Sequence, residues 1–201
     1  RPDSLSSIDA DYQRERSRLD RRRIERLTRL AGSQGRGEAD LTFLEIFRFA
    51  VAADLYAEAE PAADLVIRSG KMTPEAEFLA KLVKILAEAD RGDYVGSTRD
   101  LKAYLESPDA RPTSGTRTRT ALAIGEAYFR RLVRAGRFDL AREACEVVAE
   151  RAGDPAVRDH FAGYRRRLDL VGRPAPDIRG TDVDGTALRL DDLKGKVVLV
   201  V

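Results

Sequence analysis

A helix–break–helix pattern that occurs twice, 44 residues apart, restricts this chain more than any other feature of its sequence. The first copy opens at Thr73-Pro74-Glu75, where threonine can cap, proline suits the first helical position and glutamate meets the positive end of the dipole. Phe78, Leu82, Ile85, Leu86 and Ala89 then form one apolar stripe, Arg91-Gly92-Asp93 breaks it, and Tyr94, Ser97, Leu101 and Leu105 form a second. The second copy places Leu122, Gly125, Phe129, Leu132 and Val133 before the break Ala135-Gly136-Arg137, and Phe138, Ala141, Cys145, Val148 and Ala152 after it. The shift sets Phe78 on Leu122, Ile85 on Phe129, Gly92 on Gly136, Tyr94 on Phe138, Ser97 on Ala141 and Leu101 on Cys145. So short a break leaves two helices no course but to pack side by side, and neighbouring hairpins bury their faces by stacking. A small residue early in the second helix, Ser97 or Ala141, permits close approach to the first.

The flanking segments also read as helix. Residues Ile8 to Ala31 carry sparse apolar positions among many charges, and Gly32 with the Gly35–Gly37 stretch interrupts them. A helix is expected from about Leu41 to Glu58, and Pro61 is expected to restart a short one that Gly70 ends. Asp154-Pro155 opens a last helix carrying Val157, Phe161, Tyr164 and Leu168 and ending at Gly172. Gly125-x-x-Tyr128 followed by Gly136-x-Phe138-x-x-Ala141 resembles a tetratricopeptide repeat, with a first helix about one turn longer than that family uses. The resulting expectation is a mainly α chain, with residues 1–170 forming a tetratricopeptide-like domain of antiparallel helical hairpins.

After Gly172 the period changes. Asp184-Gly185 signals a two-residue hairpin between Asp177–Val183 and Thr186–Leu190. Asp191 to Gly195 reads as a turn or a single helical turn, and Lys196 leads into the unbroken apolar run Val197 to Val201. Such a run is expected to be a strand buried on both faces, which needs a sheet beside it and cover above and below. Residues 171–201 are therefore expected to begin a second domain that this chain does not complete.

Gly172-Arg173-Pro174-Ala175-Pro176-Asp177-Ile178, then Thr181 to Gly185, then Leu188 to Leu190, then Asp192-Leu193-Lys194-Gly195-Lys196-Val197-Val198-Leu199-Val200 together resemble the entry into a thioredoxin-like redoxin domain of the thiol–disulfide oxidoreductase and peroxiredoxin type. Ile178 stands where that family usually has phenylalanine, and Val201 where a polar residue is common. The resemblance implies a thioredoxin-like α/β domain truncated after its first core strand. It also implies a catalytic cysteine loop, often W-C-x-x-C, lying past Val201, so that this chain alone has no thiol–disulfide activity. It further implies an exported, periplasmic or membrane-tethered bacterial enzyme with a redox partner protein. A non-enzymatic helical scaffold that binds a protein partner, or a peroxiredoxin-type peroxidase, are the alternatives.

The residues themselves name no catalytic, cofactor-binding or metal-binding position. Charge is nearly balanced, with Lys+Arg 36 against Asp+Glu 34, so nucleic acid is not an expected partner. The arginines between Arg14 and Arg29 interleave with Glu15, Asp20 and Glu25 at helical spacings such as Arg16–Asp20 and Arg22–Glu25, the pattern of a solvated ion-paired helix. One cysteine and one histidine exclude an internal disulfide and a His/Cys metal cluster. Cys145 sits on a core stripe, and His160 is expected at or near the surface. Asp182 and Asp184 lack the further oxygen ligands of a calcium loop and read as turn residues. The tripeptide Arg91-Gly92-Asp93 reads as the break between helices.

Overall fold

A computed structural model describes residues 4–107, 115–151, 154–175, 177–181 and 183–198. Among the described residues the chain is mainly helical: α1 (Leu5–Ser33), α2 (Arg36–Ala53), α3 (Tyr56–Ser69), α4 (Pro74–Asp90), α5 (Tyr94–Glu106), α6 (Gly115–Arg134), α7 (Phe138–Arg151) and α8 (Pro155–Leu168). Two short strands follow, β1 (Arg179–Thr181) and β2 (Ala187–Arg189), then a 3-10 turn over Leu190–Leu193.

The two predicted breaks adopt the same structure. Gly92 and Gly136 both have positive φ, at 85° and 68°, where a side chain would be strained. The N–H of Gly92 bonds to the Ala89 carbonyl at 3.0 Å and that of Asp93 to Glu88 at 3.1 Å; Gly136 bonds to Val133 at 3.0 Å and Arg137 to Leu132 at 2.9 Å. Each of the second pair lies 44 residues after its counterpart in the first, so the recurrence seen in the sequence extends to the backbone hydrogen bonds. Helix α4 packs on α6 and α5 on α7, so like elements of the two hairpins face each other. Ser97 and Ala141 are both fully buried, as the need for close approach requires. The main core runs from α1 through α7 and takes in Leu168 at the end of α8, with Phe47, Tyr56, Val66, Val83, Leu86 and Leu132 among its largest enclosed side chains. A smaller cluster of Cys145, Val148, Val157 and Phe161 joins α7 to α8.

Thr73 caps α4 as its sequence implies, its Oγ1 accepting from the Ala76 N–H at 3.3 Å. The cap is itself held by α2: the buried Asp40 carboxylate accepts from the Thr73 N–H and hydroxyl, both bonds about 3 Å.

Gly32 lies inside α1 rather than ending it, and α2 begins at Arg36 rather than near Leu41. Four further local expectations need correction. The second helix does not run to Glu58. It ends at Ala53, because Asp54 turns into the left-handed region (φ 58°, ψ 40°) and the Leu55 N–H closes back on the Ala50 carbonyl. Pro61 does not start a helix; it lies inside α3, which begins at Tyr56. Its missing N–H falls within the first two turns, where loss of one backbone bond is tolerated when Tyr56, Ala59, Ala62, Ala63 and Val66 bury the helix. The third concerns the hairpin, which pairs Thr181 with Ala187 and thus has a five-residue connection rather than a two-residue one. Helix α8, finally, stops at Leu168, short of Gly172.

Val197 and Val198 are exposed and outside any strand; Leu199 to Val201, the rest of the expected core strand, lie outside the described residues, as do Pro176 and Asp182.

Candidate functional site

A largely apolar space lies where hairpin α4/α5 meets α6, α7 and α8. It is a cavity of about 60 Å³, with Phe78, Leu82, Leu101, Tyr104, Ile124 and Val157 among its walls. The sequence reading missed it as a site because each lining residue is an ordinary core position on its own helix; only the stacking brings them around one space. Arg151, the charged residue on this wall, lies 3.6 Å from Glu106.

Gly125 forms part of the cavity wall and sets the distance between α6 and α8. A Cβ at this position would fall on Phe161 Cζ and within 3.1 Å of Cε2. Phe161 is 2% exposed and packs among Cys145, Val148 and Val157, so its ring has little room to withdraw. Gly125→Ala gains about 1 kcal/mol of helix propensity but introduces overpacking of about 1–3 kcal/mol. The expected outcome is a net loss of about 1 kcal/mol in urea unfolding, largely relieved in the Gly125→Ala/Phe161→Leu double variant when each is referred to its Gly125 parent; additivity of the two changes would contradict this.

The Tyr128 hydroxyl on the cavity wall is satisfied within the protein. The Tyr128 hydroxyl lies 2.9 Å from Ser97 Oγ and 2.6 Å from Thr98 Oγ1, and the latter donates to the Tyr94 carbonyl at 2.7 Å. Burial raises the Tyr128 phenol above its ordinary range, against the opposing pull of those two hydroxyls. The cluster fastens α5 to α6 and holds no ionised group to accept a proton. It is a tie between hairpins, not a proton relay.

Arg131 makes the second buried polar site. Its side chain is 13% exposed, lies 3.0 Å from Asp54 and 2.6 Å from Asp90, and sits 5.0 Å over the Tyr56 ring. Burial alone would lower its pKa, but hydrogen bonding to Asp90 and the charges of Asp90 and Asp54 raise it instead. One guanidinium on α6 thereby holds the α2–α3 corner and the end of α4. Nothing in the sequence spacing links Arg131 to Asp54.

The residues singled out in the sequence take structural places. Cys145 is 1% exposed, and burial pushes its thiol up to about 12, so at neutral pH it remains an uncharged apolar group. His160 lies 2.8 Å from Glu126 and meets the Tyr164 and Phe161 rings edge-on. Several N-terminal arginines are ion-paired: Arg16 with Asp20 at 3.8 Å, as the spacing predicts, and Arg21 with Glu58 and Arg23 with Glu45 on neighbouring helices, whereas the expected Arg22–Glu25 pair does not form. Asp93 of the Arg-Gly-Asp break caps α5 by accepting from the Gly96 N–H at 2.9 Å. Asp184 lies in the hairpin connection.

Among the described residues no cluster of three or more His, Cys, Asp or Glu could hold a metal ion, and no helix is long and apolar enough to cross a membrane. Comparison of the chain with family models, with curated proteins and with solved structures gives no match.

Proposed function

We propose that this chain is the N-terminal portion of a thioredoxin-like thiol–disulfide oxidoreductase, in which the helical domain is an interaction or positioning module and the catalytic cysteines lie past Val201. In this reading residues 1–170 are a tetratricopeptide-like repeat domain and residues 171–201 enter the redox domain. One observation carries it. Arg179–Thr181 and Ala187–Arg189 pair antiparallel, and the Leu190–Leu193 turn follows directly, which is the order the sequence resemblance requires. That hairpin buries nothing of its own: Ile178 and Leu188 face solvent, as the edge of a larger sheet would before its neighbours are added. The enclosed Cys145 adds support from the other side, since an inert thiol in the helical part leaves redox chemistry to residues elsewhere.

The test is the parental gene read past the codon for Val201, together with disulfide- and peroxide-reduction assays on its product. A C-x-x-C pair soon after this strand, with disulfide turnover, is the expected result. A lone cysteine in a threonine-and-proline setting with peroxide turnover would move the assignment to the peroxiredoxin type. A stop codon, or no cysteine, would overturn the redox reading altogether. That last outcome leaves the second reading, a helical scaffold for a protein partner, which the apolar cavity between the stacked hairpins favours because its walls can receive an apolar side chain.

A further inference from the structure

Helix α1 has two apolar faces, and its own chain covers only one. Ile24 and Ala31, with the half-buried Leu27, pack onto the neighbouring helices. Leu5, Ile8, Tyr12, Leu19 and Leu30 lie on a different face, rotated by roughly a third of a turn at helical periodicity. They are 81%, 52%, 62%, 60% and 47% exposed. Every residue from Ser4 to Leu19 is exposed, so more than half of this 29-residue helix has no cover among the described residues. A bare helix of that length is marginal in water and gains its stability from a partner laid against its apolar face.

The charges beside the stripe identify that partner. On one flank Asp9 precedes Arg16; on the other Asp11 precedes Arg18. Each of these two pairs runs from acidic to basic along the helix, and Asp20, the next carboxylate on the first flank, is half-buried. Two such helices laid parallel would set Asp9 beside Asp11 and Arg16 beside Arg18. Laid antiparallel, with the two-fold axis between Gln13 and Arg14, they set Ile8 over Leu19, Asp9 near Arg16 and Asp11 near Arg18, on both sides of the axis. Antiparallel packing also opposes the two helix dipoles favourably. The pairs these groups make within α1, Asp11 with Arg14, Arg16 with Asp20 and Arg18 with Glu15, lie at the surface, where ion pairs are weak enough to exchange partners. The pattern is complementary to itself in one direction only.

We propose that the outer face of α1 is a homodimer interface, occupied by α1 of a second copy of this chain in antiparallel orientation. The proposal is independent of the redox reading, since it rests on residues of α1 alone. A single helix face is smaller than a standard interface, so association is expected to be reversible and salt-sensitive.

Sedimentation equilibrium of the 201-residue chain over a concentration series is the test, with circular dichroism of each variant to verify that helix content is kept. The wild-type chain should dimerise. Asp9→Arg/Asp11→Arg and, separately, Arg16→Asp/Arg18→Asp should each weaken dimerisation by roughly tenfold or more, because like charges then meet across the axis. An equimolar mixture of the two variants should associate like wild type, since every reversed pair is again opposite. Ile8→Glu/Leu19→Glu should be monomeric with or without salt. A wild-type chain that stays monomeric throughout would overturn the proposal, as would a dimer indifferent to both charge reversals. So would a monomer that instead floats with anionic phosphatidylserine vesicles through the same stripe.

Discussion

Replacing Arg131 with alanine is expected to destabilise the chain by about 2–3 kcal/mol, the scale of charge-assisted hydrogen bonds plus lost packing, and less than for a fully buried ion pair because both carboxylates reach solvent. The loss does not come from Coulomb attraction alone. The guanidinium lies between Asp54 and Asp90 and rests on the ring of Tyr56, so alanine would leave the partly exposed Asp90 without this partner, remove the packing above the ring and release the left-handed corner at Asp54. Asp54 itself is 56% exposed and can recover solvation, which makes the Asp90 contact the larger share. Arg131→Lys keeps the charge but loses the planar fork that spans two carboxylates, and should recover less than half of the deficit. Urea unfolding followed by circular dichroism measures all three proteins. An alanine variant within about 1 kcal/mol of wild type would mean that the contacts are no stronger than a surface pair. Asp54→Gly offers a check on the mechanism: it relieves the left-handed backbone while deleting the weaker ion pair, so its effect should be much smaller than that of Arg131→Ala.

This corner also marks where the sequence stopped being informative. The Thr73-Pro74 start, the stripe from Phe78 to Ala89 and the glycine breaks at 92 and 136 were legible because each depends on residues within a turn or two of one another. The corner at Asp54 was not legible. It carries neither glycine nor proline, its periodicity runs on into Leu55, and the residue that holds it comes from α6. Pro61 misled for the same reason: as a local signal it starts helices, yet the burial of Tyr56 and Ala59 outweighs one missing hydrogen bond. The tie from Tyr128 to Ser97 and Thr98 was half-visible, since the small size of Ser97 marks it as a contact residue while its hydroxyl partner lies 31 positions away. Spacing along one helix likewise gave Cys145 its place in the core, whereas the cavity around Leu101 and Ile124 exists only once hairpins stack. The exposed stripe of α1 was readable as a set of apolar positions; that it faces away from the core follows only from Ile24 and Ala31 taking the inward side.

Raising the pH from about 9 to about 12 is expected to strip stability from the fold well before general alkaline unfolding would. Two buried groups carry the effect. Burial raises the Cys145 thiol from 9.0 to about 12. Burial, then the nearby Asp54 carboxylate, raise the Tyr56 phenol from 10.0 to about 12, with Arg131 pulling the other way. Both groups stay protonated in the folded chain after they would have ionised in the unfolded one, so the folded state binds more protons over this interval. Stability is therefore fully present below about pH 9 and falls as pH climbs toward about 12. Each group contributes at most about 2–4 kcal/mol over the interval, at about 1.36 kcal/mol per pH unit of separation. Tyr128 and Lys84, both also raised, act in the same direction, the first mainly through burial and the second through its hydrogen bond to Asp64. The measurement is urea stability at about pH 8, 10 and 11 for wild type, Cys145→Ala, Tyr56→Phe and the double variant. Substitution in the core shifts the starting stability of each variant, so the slope against pH is the quantity to compare. The wild-type slope should be the steepest, each substitution should flatten it, and the double variant should flatten it most. Equal slopes in all four proteins would mean that neither side chain is as thoroughly removed from water as its surroundings require.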